Sequence, residues 1–297
     1  MQETRDKRIW TVLSLLQWGT DYLNEKGIEN PRLTIELLLG HALKSKRIDL
    51  YTGFDKPISQ SELMQFKTLL QRRLTYEPIQ YILGETEFMG LSFVVDRRVL
   101  VPRPETEVLV EEAITLTQKI GPQLTFSVLD IGTGCGNIAV SLAKFIKNAT
   151  VTAIDNSQEA LDVARINIDR HDVENRVRLI VHDIFGPPGE LARTPFDLIL
   201  SNPPYISKEE ANTLPPEILQ FEPKQAVIEG GDGLSFYRRI SESAANLLKK
   251  GGWILVETAY NQSPAVGSIF SSAGFQNIQL IRDYDGNNRV VKAQLGP

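Results

Sequence analysis

From Phe126 onward the chain alternates short β-forming runs with helical stretches, and this alternation limits the fold more than any other feature of its 297 residues. Ser127–Asp130 reads as a strand, followed by a glycine-rich turn and a helix through Ile138–Phe145. Val151–Ile154, Val177–Val181, Phe196–Ser201 and Trp253–Glu257 read as further strands, with Ile278–Arg282 and Val290–Gln294 as a last pair. A helix is expected over Ser157–Asp169, and helices of roughly 14 residues separate most of the strands. Strands joined through helical crossovers run parallel, and helices then cover both faces of their sheet. The expected architecture is α/β: a doubly wound, mostly parallel sheet with helices on both faces.

The residues before Pro78 follow a helical period instead. From Arg5 to Leu74, Ile9, Val12, Leu13, Leu16 and Leu23 recur at helix spacing, as do Leu33, Leu37, Leu38 and His41–Ala42. Pro31 after Asn30 reads as a helix start with Asn30 as N-cap. Ser59 followed by Glu62 reads as a capping box opening a helix to Leu74. Phe88–Phe93 and Val94–Val101 carry β-formers around Gly90 and read as a hairpin. Pro102-Arg103-Pro104-Glu105-Thr106-Glu107 then stiffens the entry to a helix at Val108–Leu116. The chain exceeds the usual size of one domain. Its expected division is a small helical bundle domain at 1–75, a linker with the hairpin at 76–100, and the sheet domain at 101–297.

Composition narrows the function classes. Hydrophobic residues at 42% and charged residues at 23% are ordinary for a soluble protein. No apolar run reaches the roughly 18 residues of a membrane span, and Met1–Trp10 lacks the apolar core of a signal peptide. Cys135 is the only cysteine, so no internal disulfide is possible, and no His/Cys cluster offers a zinc site. A cytoplasmic, metal-free protein is expected. The net charge of −5 argues against a dedicated nucleic-acid binder. Residues 1–75 carry 12 Lys and Arg against 9 Asp and Glu, and the remainder 20 against 28. This mildly basic front suits contact with an acidic partner, although a solvated helix face gives the same count.

The first chemistry-bearing motif is Asp130-Ile131-Gly132-Thr133-Gly134-Cys135-Gly136. Glycines after a buried strand let the backbone turn sharply and approach a ligand, and the next helix N-terminus aims free N–H groups at it. The spacing differs from the dinucleotide pattern. An acid before the loop suits an ammonium, as in the methionine part of S-adenosyl-L-methionine, and would repel a phosphate. Asp155, ending the second strand, can accept both ribose hydroxyls. Asp183 is placed to bond an adenine amino group, with Ile184 against the ring. Cys135 reads as a small filler of the loop.

The second motif is Asn202-Pro203-Pro204-Tyr205, directly after the strand Phe196–Ser201. Open α/β sheets bind ligands at the carboxyl ends of their strands, so it should face the cofactor loop. An amide or aromatic amine nitrogen is a poor nucleophile because its lone pair is delocalised. The Asn202 side-chain oxygen and the Pro203 carbonyl can accept its two N–H bonds, hold it and favour pyramidalisation. Tyr205 offers a flat face, and consecutive prolines keep the carbonyls fixed. A plain polyproline turn would carry the same letters, but not after this strand and this cofactor loop. No base is needed before methyl transfer, and His41, His171 and His182 read as surface or packing residues.

These residues resemble the PrmC/HemK family, the protein-(glutamine-N5) methyltransferases that modify peptide chain release factors. The resemblance covers nearly the whole chain. It includes Pro78–Gly84, Phe88-Met89-Gly90-Leu91, Val99–Glu107, Asp130–Gly136, Asn202–Tyr205, Glu222-Pro223, Asp232-Gly233-Leu234 and Arg282-Asp283-Tyr284. The Arg103–Glu107 segment is the specific part, because adenine-N6 methyltransferases share Asn-Pro-Pro-Tyr. The resemblance implies a Rossmann-like class I methyltransferase sheet, S-adenosyl-L-methionine as cofactor, and the glutamine of the release factors' Gly-Gly-Gln loop as target. The cofactor residues implied are Asp130, Gly132, Thr133, Gly134, Cys135, Gly136, Asp155, Asp183, Ile184 and Asn202. Asn202, Pro203, Pro204 and Tyr205 would hold the substrate, with Asn202, Pro203 and Tyr205 catalytic. Class 1 release factors would be the partner, held by the helical front domain, with a monomeric enzyme and no direct nucleic-acid contact. The chain departs from the family at Glu229, usually Gly, and at Ala259-Tyr260-Asn261-Gln262, usually Gly-Tyr-Asp-Gln. Both departures bear on local loop shape. The main rival is an adenine-N6 methyltransferase of nucleic acid, which would need a basic stripe and a target-recognition insertion. A cofactor-sensing module would keep the glycine loop without needing Asn-Pro-Pro-Tyr.

Overall fold

The computed structural model describes residues 9–193 and 195–296. The chain divides into two compact units, Met1–Gly84 and Glu85–Pro297, with the break inside residues 76–100.

The first unit is helical: α1 Val12–Glu25, α2 Pro31–Leu43, α3 Arg47–Thr52, α4 Gln60–Leu74 and α5 Ile79–Leu83. Leu16, Leu23, Ile35, Leu38, Leu39 and Phe66 are fully buried in its core. The short helix α5 carries this unit past residue 75, because Ile82 joins that core and Gly84, at φ +80°, ends the helix. The Ser59–Glu62 capping box is present in both directions. Asn30 behaves differently: it sits in the left-handed region at φ 49° and its side chain caps nothing, so Pro31 alone opens α2. Helix α2 buries Thr34, Ile35, Leu38, Leu39 and Ala42, while Leu33 is exposed. The helical pattern expected over residues 5–8 lies outside the described residues.

The second unit opens with the hairpin β1 Glu85–Phe88 and β2 Leu91–Val94. Its second strand is shorter than the β-formers suggest and does not reach Val101. The Arg98 amide and guanidinium both bond the Asp96 carboxylate, and Val99 N–H closes a turn onto the Asp96 carbonyl. A short 3-10 turn over Pro104–Thr106 leads into α6 Glu107–Ile120. The alternating part follows as β3 Phe126–Ile131, α7 Asn137–Phe145, β4 Ala149–Asp155, α8 Gln158–Arg170, β5 Val177–Val181 and β6 Phe196–Ser201. The small helices α9 Pro216–Phe221 and α10 Lys224–Val227 precede α11 Ser235–Leu247, β7 Leu248–Glu257, α12 Ser263–Ser272, β8 Phe275–Arg282 and β9 Asn288–Leu295.

The seven strands lie in the order β5-β4-β3-β6-β7-β9-β8. The first five run parallel, and β9 is antiparallel to both of its neighbours. This is the doubly wound α/β sheet expected. Successive residues face opposite layers: Val128, Leu198 and Leu255 pack under α6 and α7, whereas Leu129, Ile199 and Ile254 pack under α11 and α12. The winding reverses between β3 and β6. In open α/β sheets the crevice for ligands lies at that point, beyond the carboxyl ends of the strands. No helix among the described residues is long and apolar enough to cross a membrane.

Candidate active site

Strands β3 and β6 end in register, Ile131 opposite Ser201. The two loops singled out in the sequence therefore begin side by side, at Gly132 and Asn202. Gly132, Gly134 and Gly136 all have φ between +55° and +83°, a region in which a side chain is strained. The Gly132 and Thr133 amides both bond the Ile154 carbonyl on β4, at 2.9 and 3.0 Å. Gly136 also lies against α8: a Cβ there would stand 3.2 Å from that of Ala164.

A cleft opens over both loops. Gly132, Gly134, Asp155, Asp183, Ile184, Asn202, Pro203 and Pro204 line it, so most of the predicted positions converge. Asp130, Thr133, Cys135 and Gly136 do not. Asp130 is fully buried beneath the loop and accepts the Thr133 hydroxyl at 2.7 Å, while its Oδ1 has no hydrogen-bond partner among the described residues. Direct contact with an ammonium in the cleft is therefore not its geometry. Burial pushes its pKa up to about 7, helped by the nearby Asp155 carboxylate. Cys135 is a buried filler whose thiol burial pushes up to about 12.

Asp155 faces the cleft with a carboxylate already fastened by backbone: Oδ2 accepts the Gly134 amide at 2.9 Å and Oδ1 the Ser157 amide at 3.0 Å. Burial raises its pKa, against those two bonds. A carboxylate has about four acceptor positions, so roughly two remain for hydroxyls. Asp183 is exposed at the rim, and Ile184 and Phe236 supply apolar wall. His182 lines the cleft as well, a position the surface-or-packing reading did not anticipate.

A second pocket adjoins the cleft and shares Leu100, Asn202, Pro203, Pro204 and Ala226 with it. Tyr205 and Glu257 belong to this pocket alone. Asn202 thus stands at the junction. Its Nδ2 donates to the Thr106 hydroxyl at 3.1 Å, which leaves Oδ1 free to accept. Gln262 Nε2 bonds the Tyr205 carbonyl at 2.9 Å, and the Tyr205 hydroxyl approaches Glu257 Oε1 at 3.5 Å. Glu257 is buried, which pushes its pKa up to about 7 against the pull of Thr106, Arg289 and Tyr205.

The segment from Ile206 to Asp232 walls the second pocket through Leu214, Ile218 and Val227. Arg103 grips it by bonding both Glu222 oxygens, at 2.6 and 2.8 Å, and Arg97 lies 4.8 Å over the Phe221 ring. The departure at Glu229 has a local use: its carboxylate accepts the Gly231 and Gly233 amides and the Ser235 hydroxyl at the start of α11. Gly233 can be nothing larger, since a Cβ there would meet Gln262 Nε2 at 2.5 Å and the Tyr205 carbonyl at 2.7 Å.

Sequence reasoning missed Thr106 and Glu257 as neighbours of Asn202. It also missed Asn167, whose side chain bonds the Cys135 carbonyl and both backbone groups of Val94, tying the glycine loop to β2. Thr106 lay in a motif already singled out; an Asn inside an amphipathic helix carries no comparable signal.

A glycine loop and an Asn-Pro-Pro-Tyr loop, side by side at the reversal point of a doubly wound sheet, define a methyltransferase of the class that takes its methyl group from S-adenosylmethionine. Residues 125–284 match the family described as Methyltransferase domain, and residues 14–84 that described as PrmC N-terminal domain. A release factor glutamine methyltransferase of Geobacter sulfurreducens is 44% identical over 99% of this chain and 100% of its own length. One from Rhodopirellula baltica is 40% identical over 99% of each. The chain belongs to the release factor glutamine methyltransferase family. A methyltransferase structure from Pyrococcus furiosus, 22% identical with a TM-score of 0.51, covers 76% of this chain and 98% of its own, and shares the fold.

Proposed function

We propose that this protein methylates the side-chain amide nitrogen (N5) of the glutamine in the Gly-Gly-Gln loop of class 1 peptide chain release factors, with S-adenosyl-L-methionine as donor. The observation that carries this reading is Asn202 at the junction of the two pockets, its amide nitrogen held by Thr106 and its oxygen left to accept. The residues present fit the cofactor. Asp155 keeps acceptor positions for ribose hydroxyls, Asp183 and Ile184 take the adenine edge and face, and Gly132 and Gly134 bring bare backbone to the cleft. Asp130, one layer below, contributes charge rather than a contact.

When bound, S-adenosyl-L-methionine supplies an electrophilic methyl on a sulfonium. Asn202 Oδ1 and the Pro203 carbonyl accept the two N–H bonds of the glutamine amide and turn its lone pair out of conjugation. Tyr205 supports the planar group in the second pocket. Methyl transfer leaves an N-protonated amide, a strong acid that loses its proton without a dedicated base. Preorganised acceptors of this kind are typically worth a hundredfold or more in rate.

Incubation with methyl-labelled cofactor and either purified release factor or DNA tests the reading. Label on the release factor glutamine supports it; label on adenine supports the rival. The helical unit would hold the release factor, since one glutamine side chain offers too little to distinguish it from others. A chain starting at Glu85 should then bind cofactor normally and methylate folded release factor poorly. Full-length rates from it would leave the helical unit a structural role only.

A further inference from the structure

The turn after β5 brings two residues to the cleft, Asp183 and Ile184, which the reading above gives to the adenine. The turn closes on itself through Asp183: Gly186 N–H donates to its carbonyl at 2.8 Å and Phe185 N–H to its Oδ1 at 3.0 Å. The Ile184 and Gly186 carbonyls are taken by Arg239 on α11. Its Nε donates to the Ile184 oxygen and its Nη2 to the Gly186 oxygen, each at 2.6 Å. Glu242 stands 3.9 Å from the same guanidinium, too far for a hydrogen bond, so the fork belongs to the two carbonyls. A cavity lined by Ile184, Gly186, Leu191 and Arg239 lies beside these bonds. On that side the turn is held by hydrogen bonds more than by packing. A second link is aromatic: the Phe185 and Phe236 rings meet edge to face at 4.9 Å, and Phe236 lines the cleft.

We propose that Arg239 is a positioning residue for cofactor selection: it fixes the turn so that the Asp183 carboxylate meets the adenine amino group. The inference rests on the function proposed above. Asp183 is exposed at the rim, and on an unfastened turn its carboxylate would spread over many solvent-facing positions. Bonding the amino group would then first cost the ordering of the turn. A guanidinium is planar and donates two N–H bonds in a fixed fork, so one side chain clamps two carbonyls two residues apart. A lysine ammonium is a point donor on a flexible stem and cannot reproduce that span. With Oδ1 accepting from Phe185, Oδ2 is left for the ligand.

The experiment uses full-length wild type, Arg239→Lys, Arg239→Met and Asp183→Ala. Calorimetry measures the affinity of each for S-adenosylhomocysteine and for its analogue with purine in place of adenine, which lacks only the amino group. Turnover on purified release factor is measured at varied cofactor concentration. Wild type should prefer the adenine compound about fivefold, the order of one hydrogen bond to a charged acceptor at an exposed rim. Asp183→Ala should abolish that preference. Arg239→Met should nearly abolish it and raise the cofactor KM, with kcat at saturating cofactor near wild type, and Arg239→Lys should fall between.

A wild-type preference retained in Arg239→Met would overturn the proposal, as would equal losses of affinity for both compounds, the mark of a merely structural role. If Arg239→Met does not fold, an intermediate preference in Arg239→Lys supports the proposal and an unchanged one overturns it. Absence of any preference in wild type would refute the adenine role of Asp183 instead, and with it the selection proposed for Arg239. Absence of wild-type turnover on release factor would refute the proposed substrate alone, since both affinities are measured without it.

Discussion

The loops after β3 and β6 leave the sheet side by side but are built on opposite principles. The first is made of glycines in left-handed conformations, and its hydrogen bonds are almost all main-chain, to Ile154 and to the Asp155 carboxylate. The second has two prolines with fixed φ and is held by side chains, Thr106 on Asn202 and Gln262 on Tyr205. One loop presents bare backbone; the other presents an oriented side-chain oxygen, that of Asn202, beside the Pro203 carbonyl. Each has a buried carboxylate behind it, Asp130 or Glu257, and burial pushes both up to about 7. Cofactor binding and methyl transfer should therefore be separable by mutation although the loops touch the same cleft.

Asn202→Ala is the largest expected break. It should lower methyl transfer on the order of a hundredfold, about 3 kcal/mol, with cofactor affinity nearly unchanged, as turnover and calorimetry on the same preparation would reveal. Near-normal turnover would remove the proposed role of the second loop. Asp155→Ala should do the converse and weaken cofactor binding by about 1.5–3 kcal/mol, with little loss of rate at saturating cofactor. Unchanged affinity would mean that the carboxylate serves only to fasten Gly134 and Ser157.

How much of this was legible depended on whether neighbours in space were neighbours in sequence. Val177–Val181 and Phe196–Ser201 could be read to the residue, because each is a short, mostly apolar run between turn residues. The glycine and Asn-Pro-Pro-Tyr loops carry their chemistry in consecutive letters. The hairpin was misjudged because Val95, Val99 and Val101 are buried without being in a strand, and the Asp96–Arg98 contact that turns the chain there has no β-period signature. Asp130 was expected to face an ammonium; which way a strand-terminal side chain points depends on the loop folding over it. The link from Thr106 to Asn202 spans 96 residues and depends on the turn before α6 meeting the end of β6, which no local pattern encodes.

The smallest expected effect concerns stability and pH, and it compares the two buried carboxylates directly. Both have folded-state pKa values of about 7, above the ordinary carboxylate range of about 4 to 4.5 expected once unfolded. A raised pKa means that the folded state binds the proton more tightly. The stabilisation is complete below the unfolded value and is lost as pH rises through the folded value, at most about 4 kcal/mol per group. Wild type should thus lose stability between about pH 4.5 and 7.5, and Asp130→Asn or Glu257→Gln should each flatten part of that slope. Thermal or urea unfolding across this range provides the measurement. Glu257 is drawn down by Arg289 and two hydroxyls, whereas the Thr133 bond on Asp130 works against the like charge of Asp155. Adding S-adenosyl-L-methionine should sharpen the contrast, because a cation above the glycine loop favours ionised Asp130 and leaves the more distant Glu257 less affected. The slope removed by Asp130→Asn should then shrink with cofactor present, while that removed by Glu257→Gln persists. Equal shrinkage of both would mean that the two loops share one electrostatic environment and that their separation is geometric alone.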